Sequence, residues 1–243
     1  MVTGAGINRD PGLSLAISES RLSSRPLLPL DCQAAVSFIT AGHHHFRMPA
    51  AAVVKVGGSL FSEVPRLAQE IRDAGRPVLI VPGGGQYADL VRMMELPDEQ
   101  AHWMAIAAME QYAWYVAVHG VETMDEIGLP EGIRVLLPYR VMRMEDPLPH
   151  TWEVTSDSIS AWVAHRLDLP LLLLKSVDGL TRDGILQTRV SEAFPYGEVD
   201  PYFLPYVLSR RIPVTVANGR VAGRTAAWLR GEEVAGTVVG PGR

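Results

Sequence analysis

The sequence contains one cysteine among its 243 residues, at position 32. A single cysteine cannot form an internal disulfide, and it cannot build a cysteine-ligated zinc site. Proteins of a reducing compartment usually lack disulfides, and the N-terminus lacks the basic-then-apolar layout of a secretory signal. The sequence therefore predicts a cytoplasmic protein.

Two other absences narrow the class of partner. No apolar stretch approaches the ~20 residues that a membrane-spanning helix needs. No run of lysine or arginine forms a basic stripe, and the formal net charge is −5, so a nucleic-acid backbone is not an expected partner. Apolar residues make up 47% and charged residues 20%, which is ordinary globular usage. We expect a globular protein.

Residues 1–48 show no sustained hydrophobic period and mix Gly, Pro, Ser and Arg. We expect a poorly ordered extension, or a start site assigned too early with Met48 as the first residue, followed by a single domain at 49–243. His43, His44 and His45 could bind a metal ion. Because they lack cysteine or carboxylate partners at ligand spacing, we expect no metal site there.

From residue 51 onward, short apolar runs alternate with segments of helical period. Strands that read as continuous apolar runs between helices predict an α/β fold, a three-layer αβα sandwich with a mainly parallel central sheet. Asp98 is placed to cap the longest helix. The predicted strands are 53–56, 77–81, 134–138, 171–174, 214–217 and 236–239; the predicted helices are 64–74, 86–94, 97–118, 155–167, 202–209 and 224–229.

Lys55 lies in an unusual setting, because an apolar strand ends there and runs into Gly57, Gly58 and Ser59. One cation and a bare backbone at the same place suit an anionic phosphate. The Walker pattern does not explain the segment, because there the lysine follows the glycines. A second glycine run, at 83–85, ends the next strand, and the two runs together would make a two-sided phosphate cradle.

Lys175 also stands at the end of an apolar strand. Two lysines at one edge of a parallel sheet are sufficient to hold the charge of a migrating phosphoryl group. Asp157 could orient these lysines or help to hold Mg²⁺, since capping of its helix belongs more naturally to Thr155 or Ser156. Asp178 fits either an Asx turn or a nucleotide site.

Four segments, taken in order, resemble the amino acid kinase family: Lys55–Ser59, Gly83–Gly85, Thr155–Ser158 and Lys175–Gly179. The C-terminal segments Val216–Arg220 and Gly236–Thr237 are also similar to it. The resemblance covers about residues 51–240. It implies an open αβα sandwich in which residues 49–150 bind the acceptor and residues 151–243 bind ATP. The implied catalytic residues are Lys55, Asp157 and Lys175; the implied nucleotide-binding residues are Gly57, Gly58, Ser59, Lys175, Ser176, Asp178 and Gly179; the implied acceptor-binding residues are Gly83, Gly84, Gly85, Gln86, Asp89 and His102.

The helix around residues 101–112 resembles a subgroup that phosphorylates an aminomethylfuran-methyl phosphate to its diphosphate in methanofuran biosynthesis. Under this reading His102 could neutralise the acceptor phosphate and Asp89 could meet the ammonium group. Trp103 and Tyr112 could stack on the furan ring. Each of these residues also has a structural alternative. His102 could be a partly buried helix histidine, and Asp89 could be a solvated carboxylate. Trp103 and Tyr112 could make core or dimer contacts.

We therefore expect an ATP- and Mg²⁺-dependent kinase acting on a small phosphorylated acceptor. An ionised acceptor phosphate needs no general base, which agrees with the lack of an obvious catalytic His or Glu. A uridylate kinase-like or other small-molecule kinase is the first alternative. A non-catalytic nucleotide-binding or storage protein on the same fold is the second. The family resemblance implies a homo-oligomer, dimeric or hexameric.

Overall fold

The structure is a computed structural model and describes residues 51–240. The predictions for residues 1–48, including the histidine run, lie outside the described residues. Within the described range, none of the helices combines the length and apolar character needed to cross a membrane.

The central sheet has eight strands in the order β3-β4-β2-β1-β5-β9-β10-β8. All neighbouring pairs are parallel except β9 and β10. A separate hairpin is formed by β6 and β7. The strands are β1 (Ala52–Val56), β2 (Val78–Pro82), β3 (Glu122–Met124), β4 (Ile133–Leu136), β5 (Leu171–Lys175), β6 (Thr181–Arg182), β7 (Ile185–Leu186), β8 (Arg189–Val190), β9 (Val214–Asn218) and β10 (Thr237–Val239).

Seven α-helices connect these strands, and a 3-10 turn at Gly58–Glu63 follows β1. Buried apolar side chains form two large clusters, one of which contains Val53 and Leu79 and the other Val54 and Ile80. Because successive side chains of a strand point to opposite faces, these clusters are the cores on the two faces of the sheet. The helices are α1 (Val64–Asp73), α2 (Gly85–Met93), α3 (Asp98–Ala117), α4 (Pro138–Glu145), α5 (Ser156–Leu167), α6 (Phe203–Arg210) and α7 (Arg224–Leu229).

The prediction of an α/β sandwich with a mainly parallel sheet is confirmed. Strands β1, β2, β5 and β9 are the centre of the sheet and are buried over nearly their whole length. Their carboxyl ends therefore open at one edge, which carries Lys55, the glycines after Pro82, Lys175 and Asn218. Ligands of open parallel sheets bind at such an edge.

Two local predictions are wrong. The strand predicted at 134–138 ends at Leu136, because Pro138 takes the first position of α4, where its missing N–H costs no hydrogen bond. Asp98 does not cap α3: Pro97 occupies the cap position, and Asp98 is the first residue of the helix. A carboxylate in that first turn still favours the positive end of the helix dipole.

Candidate active site

The two lysines at the ends of β1 and β5 meet at one carboxylate. Lys55 Nζ lies 2.7 Å from Asp157 Oδ1, an ion-pair contact without hydrogen-bond geometry. Lys175 Nζ donates a hydrogen bond to Asp157 Oδ2 at 2.7 Å. The side chains of Lys55 and Asp157 are each only 4% exposed. We call Lys55, Asp157 and Lys175 the lysine cluster.

Burial and the neighbouring charges shift the pKa values of the lysine cluster in opposite directions. Burial lowers the pKa of Lys55 below its ordinary value, although Asp157 opposes this shift. Burial raises the pKa of Asp157, but Lys55 and Lys175 together outweigh it and the pKa lies below its ordinary value. Asp157 is therefore ionised at neutral pH. The cluster has two lysines for one carboxylate, so it can attract an additional anion.

Asp157 owes its position to the start of α5. Thr155 is the N-cap of the helix, and its Oγ1 accepts a hydrogen bond from the backbone N–H of Asp157 at 3.3 Å. Asp200 in turn accepts hydrogen bonds from the backbone N–H and hydroxyl groups of Thr155 and Ser158, at 2.5–3.1 Å. Four donors on one buried carboxylate hold this turn in place. Sequence reasoning missed Asp200, because it lies 43 residues after Asp157 in a segment without a regular period.

The two glycine runs lie against each other above the cluster. A Cβ atom on Gly58 would stand 2.3 Å from Gly85 Cα, and one on Gly83 would stand 2.6 Å from Gly58 N. Only glycine permits this approach. The predicted pairing of the two runs is therefore present in the structure. A Cβ atom on Gly57 would stand 3.5 Å from Lys55 Nζ, so the first glycine run also lies beside this lysine.

A cavity of about 500 Å³ opens over this edge of the sheet, a size suited to a small-molecule ligand. Its base is formed by the lysine cluster and the glycine runs. Its sides come from α2, from α3 and from the segment that precedes α5. The predicted site residues that line it are Lys55, Gly57, Gly58, Ser59, Gly84, Gly85, Gln86, Asp89, His102, Asp157 and Lys175.

No family model matches the sequence. A protein of Methanocaldococcus jannaschii named (5-(aminomethyl)furan-3-yl)methyl phosphate kinase is 28% identical over 144 residues, which are 53% of this chain and 67% of that protein. Among solved structures, an isopentenyl phosphate kinase aligns with a TM-score of 0.57 at 17% identity, covering 77% of this chain and 99% of the other. The uridylate kinase of Archaeoglobus fulgidus gives 0.58 at 17%, with the same coverage, and the UMP kinase of Bacillus anthracis gives 0.60 at 16%, covering 81% and 98%.

The solved structures show that the chain has the fold of these kinases. The relative in sequence and the three structural neighbours are all named as kinases.

Four predicted site residues do not line the cavity. Gly83 is buried beneath the first glycine run, and Gly179 is buried against Thr237, where a Cβ atom would stand 2.5 Å from Oγ1. Close packing therefore accounts for Gly83 and Gly179 without a ligand. Ser176 and Asp178 follow Lys175 in the chain.

Asp178 belongs to a polar group at the ends of β5 and β9. Its Oδ1 accepts hydrogen bonds from Asn218 Nδ2 at 3.2 Å and from Arg224 at 2.9 Å. The hydrogen bond from Arg224, followed by that from Asn218, lowers the pKa of Asp178. These contacts go beyond a local Asx turn, because they join three segments of the chain.

The cavity also has an exposed wall, which we define as Asp89, Arg92, Asp98 and Trp152. The Arg92 guanidinium lies over the Trp152 ring, 4.5 Å from its centroid, and 3.6 Å from Asp89. Sequence reasoning identified only Asp89 as a ligand of the acceptor. Trp152 comes from an irregular segment before α5, where no periodic signal marks it.

Three aromatic residues of α3 do not have the roles predicted for them at the acceptor site. Burial lowers the pKa of His102 to about 4, so His102 is uncharged at neutral pH and does not supply the predicted positive charge. Tyr112 is fully buried and donates a hydrogen bond to Gly57 O at 3.3 Å. Trp103 donates to Glu99 at 2.7 Å. Neither Trp103 nor Tyr112 lines the cavity, so their structural alternatives are the better description.

The sequence contains no lysine outside the lysine cluster. Of the 22 basic residues besides histidine, 20 are arginine, and the only lysines are Lys55 and Lys175. Arginine and lysine are not interchangeable, since an ammonium group is a compact point charge on a flexible stem. The chain has arginine at its other basic positions and lysine only at the two positions that meet at Asp157. This count was available from the sequence alone.

Proposed function

We propose that this protein is a kinase that transfers the γ-phosphoryl group of ATP to the phosphate of a small acceptor, most specifically aminomethylfuran-methyl phosphate, and forms its diphosphate. The observation that carries the proposal is the lysine cluster at the base of a cavity lined by two glycine runs. A positively charged, water-poor site of this kind stabilises a phosphoryl group in transfer.

The reaction needs only two bond changes. An oxygen of the acceptor phosphate attacks the γ-phosphorus, a new P–O bond forms, and the bond to the β-phosphate oxygen breaks to release ADP. Lys55, held by Asp157 under the glycine runs, balances the charge on the transferring group. Lys175, at the mouth of β5, balances the charge on the leaving nucleotide. The acceptor phosphate is already ionised, so no general base is required.

We assign the two ligands to two neighbouring regions that meet at Lys175. We assign the acceptor to the side lined by α2 and α3, within the proposed acceptor part at 49–150. We assign the nucleotide to the ends of β5 and β9, within the proposed ATP part at 151–243, where Lys175, Ser176 and Asp178 lie. This assignment makes the lysine cluster the meeting point of the two substrates.

Mg²⁺ is expected to accompany ATP, but residues 51–240 place few carboxylate ligands for it in the cavity. The carboxylates that line the cavity within residues 51–240 are Asp89, Asp98 and Asp157. Both oxygens of Asp157 contact lysines, which favours the orienting role over the metal-binding role. When bound, Mg²⁺ supplies charge neutralisation on the phosphates, held mostly by phosphate oxygens and water. We assign it no protein ligand.

The exposed wall supports an acceptor with an ammonium group, an aromatic ring and a phosphate. Asp89 and Asp98 provide negative charge, Trp152 provides a flat apolar face, and Arg92 provides a cation. The name of the Methanocaldococcus jannaschii relative points to the same acceptor. A uridylate kinase-like reaction is the principal alternative, because two structural neighbours are uridylate kinases.

The test is ADP release from ATP and Mg²⁺ with a panel of acceptors: aminomethylfuran-methyl phosphate, UMP, isopentenyl phosphate, acetylglutamate and glutamate. We expect turnover with the furan phosphate and at least 100-fold lower kcat/KM with the others. Turnover with UMP alone would replace the acceptor assignment and keep the kinase. ATP binding without ADP release for any acceptor would favour the storage-protein alternative.

A further inference from the structure

A cluster of metal-ligating side chains lies behind the acceptor side of the cavity. His102 in α3, Asp146 at the end of α4 and His150 in the following segment each offer one ligand atom, and these atoms lie within 4.8 Å of one another. None of the three belongs to the lysine cluster. Their chemistry is therefore not accounted for by phosphoryl transfer.

His102 carries a polar atom that the surrounding protein leaves without a partner. The residue is 8% exposed, and its Nε2 is buried and makes no hydrogen bond to any of residues 51–240. A buried polar atom without a partner costs free energy, so such atoms are rare unless a ligand satisfies them. An imidazole nitrogen in this position is a ready ligand for a transition metal.

The contacts of His150 follow the pattern of metal-binding histidines. Its Nε2 lies 2.7 Å from Asp146 Oδ1, and its Nδ1 contacts Glu99 Oε2. Glu99 is itself held by Trp103 Nε1 at 2.7 Å. A histidine that ligates a metal through one nitrogen commonly donates its other N–H to a carboxylate, which orients the ring. Glu99 fills that supporting position here.

We propose that His102 Nε2, His150 Nε2 and the Asp146 carboxylate form a site for a divalent transition metal of the zinc type, with Glu99 as the carboxylate that orients His150. Two imidazoles and one carboxylate are a zinc ligand set that leaves a fourth position for water. The same donors disfavour Mg²⁺, which prefers oxygen ligands. The site is separate from the Mg²⁺ that accompanies ATP.

Metal binding requires a small rearrangement of the two histidines. Their rings are stacked, with centroids 4.0 Å apart and planes 19° apart, whereas a shared metal lies in the plane of each ring. Zinc ligands at about 2.1 Å from the metal stand about 3.4 Å apart, so separations within the present 4.8 Å must shrink by up to roughly 1.4 Å. We expect His150 to make this adjustment, because its side chain is 21% exposed whereas His102 is buried in α3.

The proposed metal site lies between α3 and the segment that leads to the exposed wall. His102 also lines the cavity, and His150 lies two residues before Trp152 of the exposed wall. A bound metal would fasten the segment that carries Trp152 to α3. It would therefore be a structural metal that stabilises the acceptor side, outside the path of the transferred phosphoryl group.

The experiment uses the full chain with His43, His44 and His45 changed to alanine, because that run could bind metal independently. The protein is treated with chelator, and Zn²⁺ binding without nucleotide is measured by titration calorimetry and by metal analysis after gel filtration. Co²⁺ is the spectroscopic probe, since histidine-ligated Co²⁺ shows visible absorption bands. We expect one Zn²⁺ per chain, a raised melting temperature with Zn²⁺, and no comparable effect of Mg²⁺.

Three variants of that protein test the assignment. Asp146→Asn and His150→Ala should abolish stoichiometric Zn²⁺ binding and the Co²⁺ bands, and Glu99→Gln should weaken Zn²⁺ binding by about 10–100-fold. His165→Ala, which removes a histidine outside the cluster, should bind Zn²⁺ normally. The proposal is wrong if the parent protein retains no Zn²⁺ after gel filtration. It is equally wrong if the nearly isosteric Asp146→Asn protein, folded by circular dichroism, retains Zn²⁺ like the parent. These readouts do not use kinase activity, so they stand whether or not the acceptor assignment holds.

Discussion

The lysine cluster and the exposed wall share one cavity but differ in almost every physical respect. Lys55 and Asp157 are 4% exposed and charge-paired, whereas the side chains of Asp89 and Arg92 are 70% and 56% exposed. The two lysines of the cluster stand at strand ends in the middle of the sheet, and Asp157 lies in the first turn of α5. The wall stands on helix surfaces and an irregular segment. We infer that the cluster provides the chemistry and that the wall provides the choice of acceptor.

Removal of Lys55 should have the largest effect on catalysis. We expect Lys55→Met to lower kcat by about 10³-fold, because the charge on the transferring phosphoryl group loses its buried counter-charge. The measurement is kcat with saturating ATP and acceptor. Arg140→Ala is the matched control, since it removes a cation that is exposed and pairs with Asp125 outside the cavity. A Lys55→Met enzyme with near-normal kcat would remove the cluster from the chemistry.

Asp157→Asn should affect stability as well as rate. The substitution leaves Lys55 buried without a counter-charge, and loss of one partner of a buried ion pair costs about 3–5 kcal/mol in free energy of unfolding. Denaturant unfolding at pH 7 measures this, and we expect kcat to fall by about 10²-fold.

The pKa of Asp157 is lowered on folding, so the stabilisation that Asp157 provides is present above the unfolded pKa of about 3.9. It is lost as the pH falls through the lower folded value. The difference between wild type and variant should therefore shrink at acid pH. An equal difference at pH 7 and well below pH 3 would contradict this ion-pair account.

Trp152→Ala tests the exposed wall. We expect the KM for the acceptor to rise by about 10-fold, with kcat and the KM for ATP little changed, because the proposed role of the ring is to bind the acceptor and not the nucleotide. Met93→Ala provides the control, since Met93 is 71% exposed and does not line the cavity. A fall in kcat with no change in acceptor KM would place Trp152 with the catalytic groups and end the division between cluster and wall.

Asp89→Asn should give the smallest effect. A single exposed carboxylate contributes about 1 kcal/mol or less to binding of an ammonium group, which corresponds to a roughly fivefold rise in acceptor KM. An acceptor analogue without the amino group should bind the wild type and the variant alike. If the variant weakens binding of both acceptors equally, Asp89 does not recognise the ammonium group.

The sequence predicted the lysine cluster because its signals are local. An apolar strand, a lysine and a glycine pair occur within eight residues, and a parallel sheet brings the carboxyl ends of its strands to one edge. The same logic found the glycine run after β2 and Lys175 at the end of β5. The helix-capping role of Asp98 and the strand at 134–138 failed, each because a proline fixed the local start of a helix. The helix α4 that begins at Pro138 was not predicted.

The exposed wall could not be predicted in the same way. Trp152 and Arg92 are 60 residues apart and meet only because the segment before α5 packs beside α2. Asp200 and the pair of His102 and His150 depend likewise on tertiary packing. Short elements such as β3 and the β6–β7 hairpin were missed, since strands of two or three half-exposed residues have no hydrophobic period.

The most direct test of the central claim is ³¹P NMR of a reaction that contains ATP, Mg²⁺ and aminomethylfuran-methyl phosphate. The wild-type enzyme should convert the acceptor phosphate signal into the two coupled signals of a diphosphate, with one ADP formed for each product, and Lys55→Met should leave the acceptor unchanged over the same time. ADP with inorganic phosphate and no diphosphate signal, or equal product from Lys55→Met, would contradict the proposed reaction at the lysine cluster.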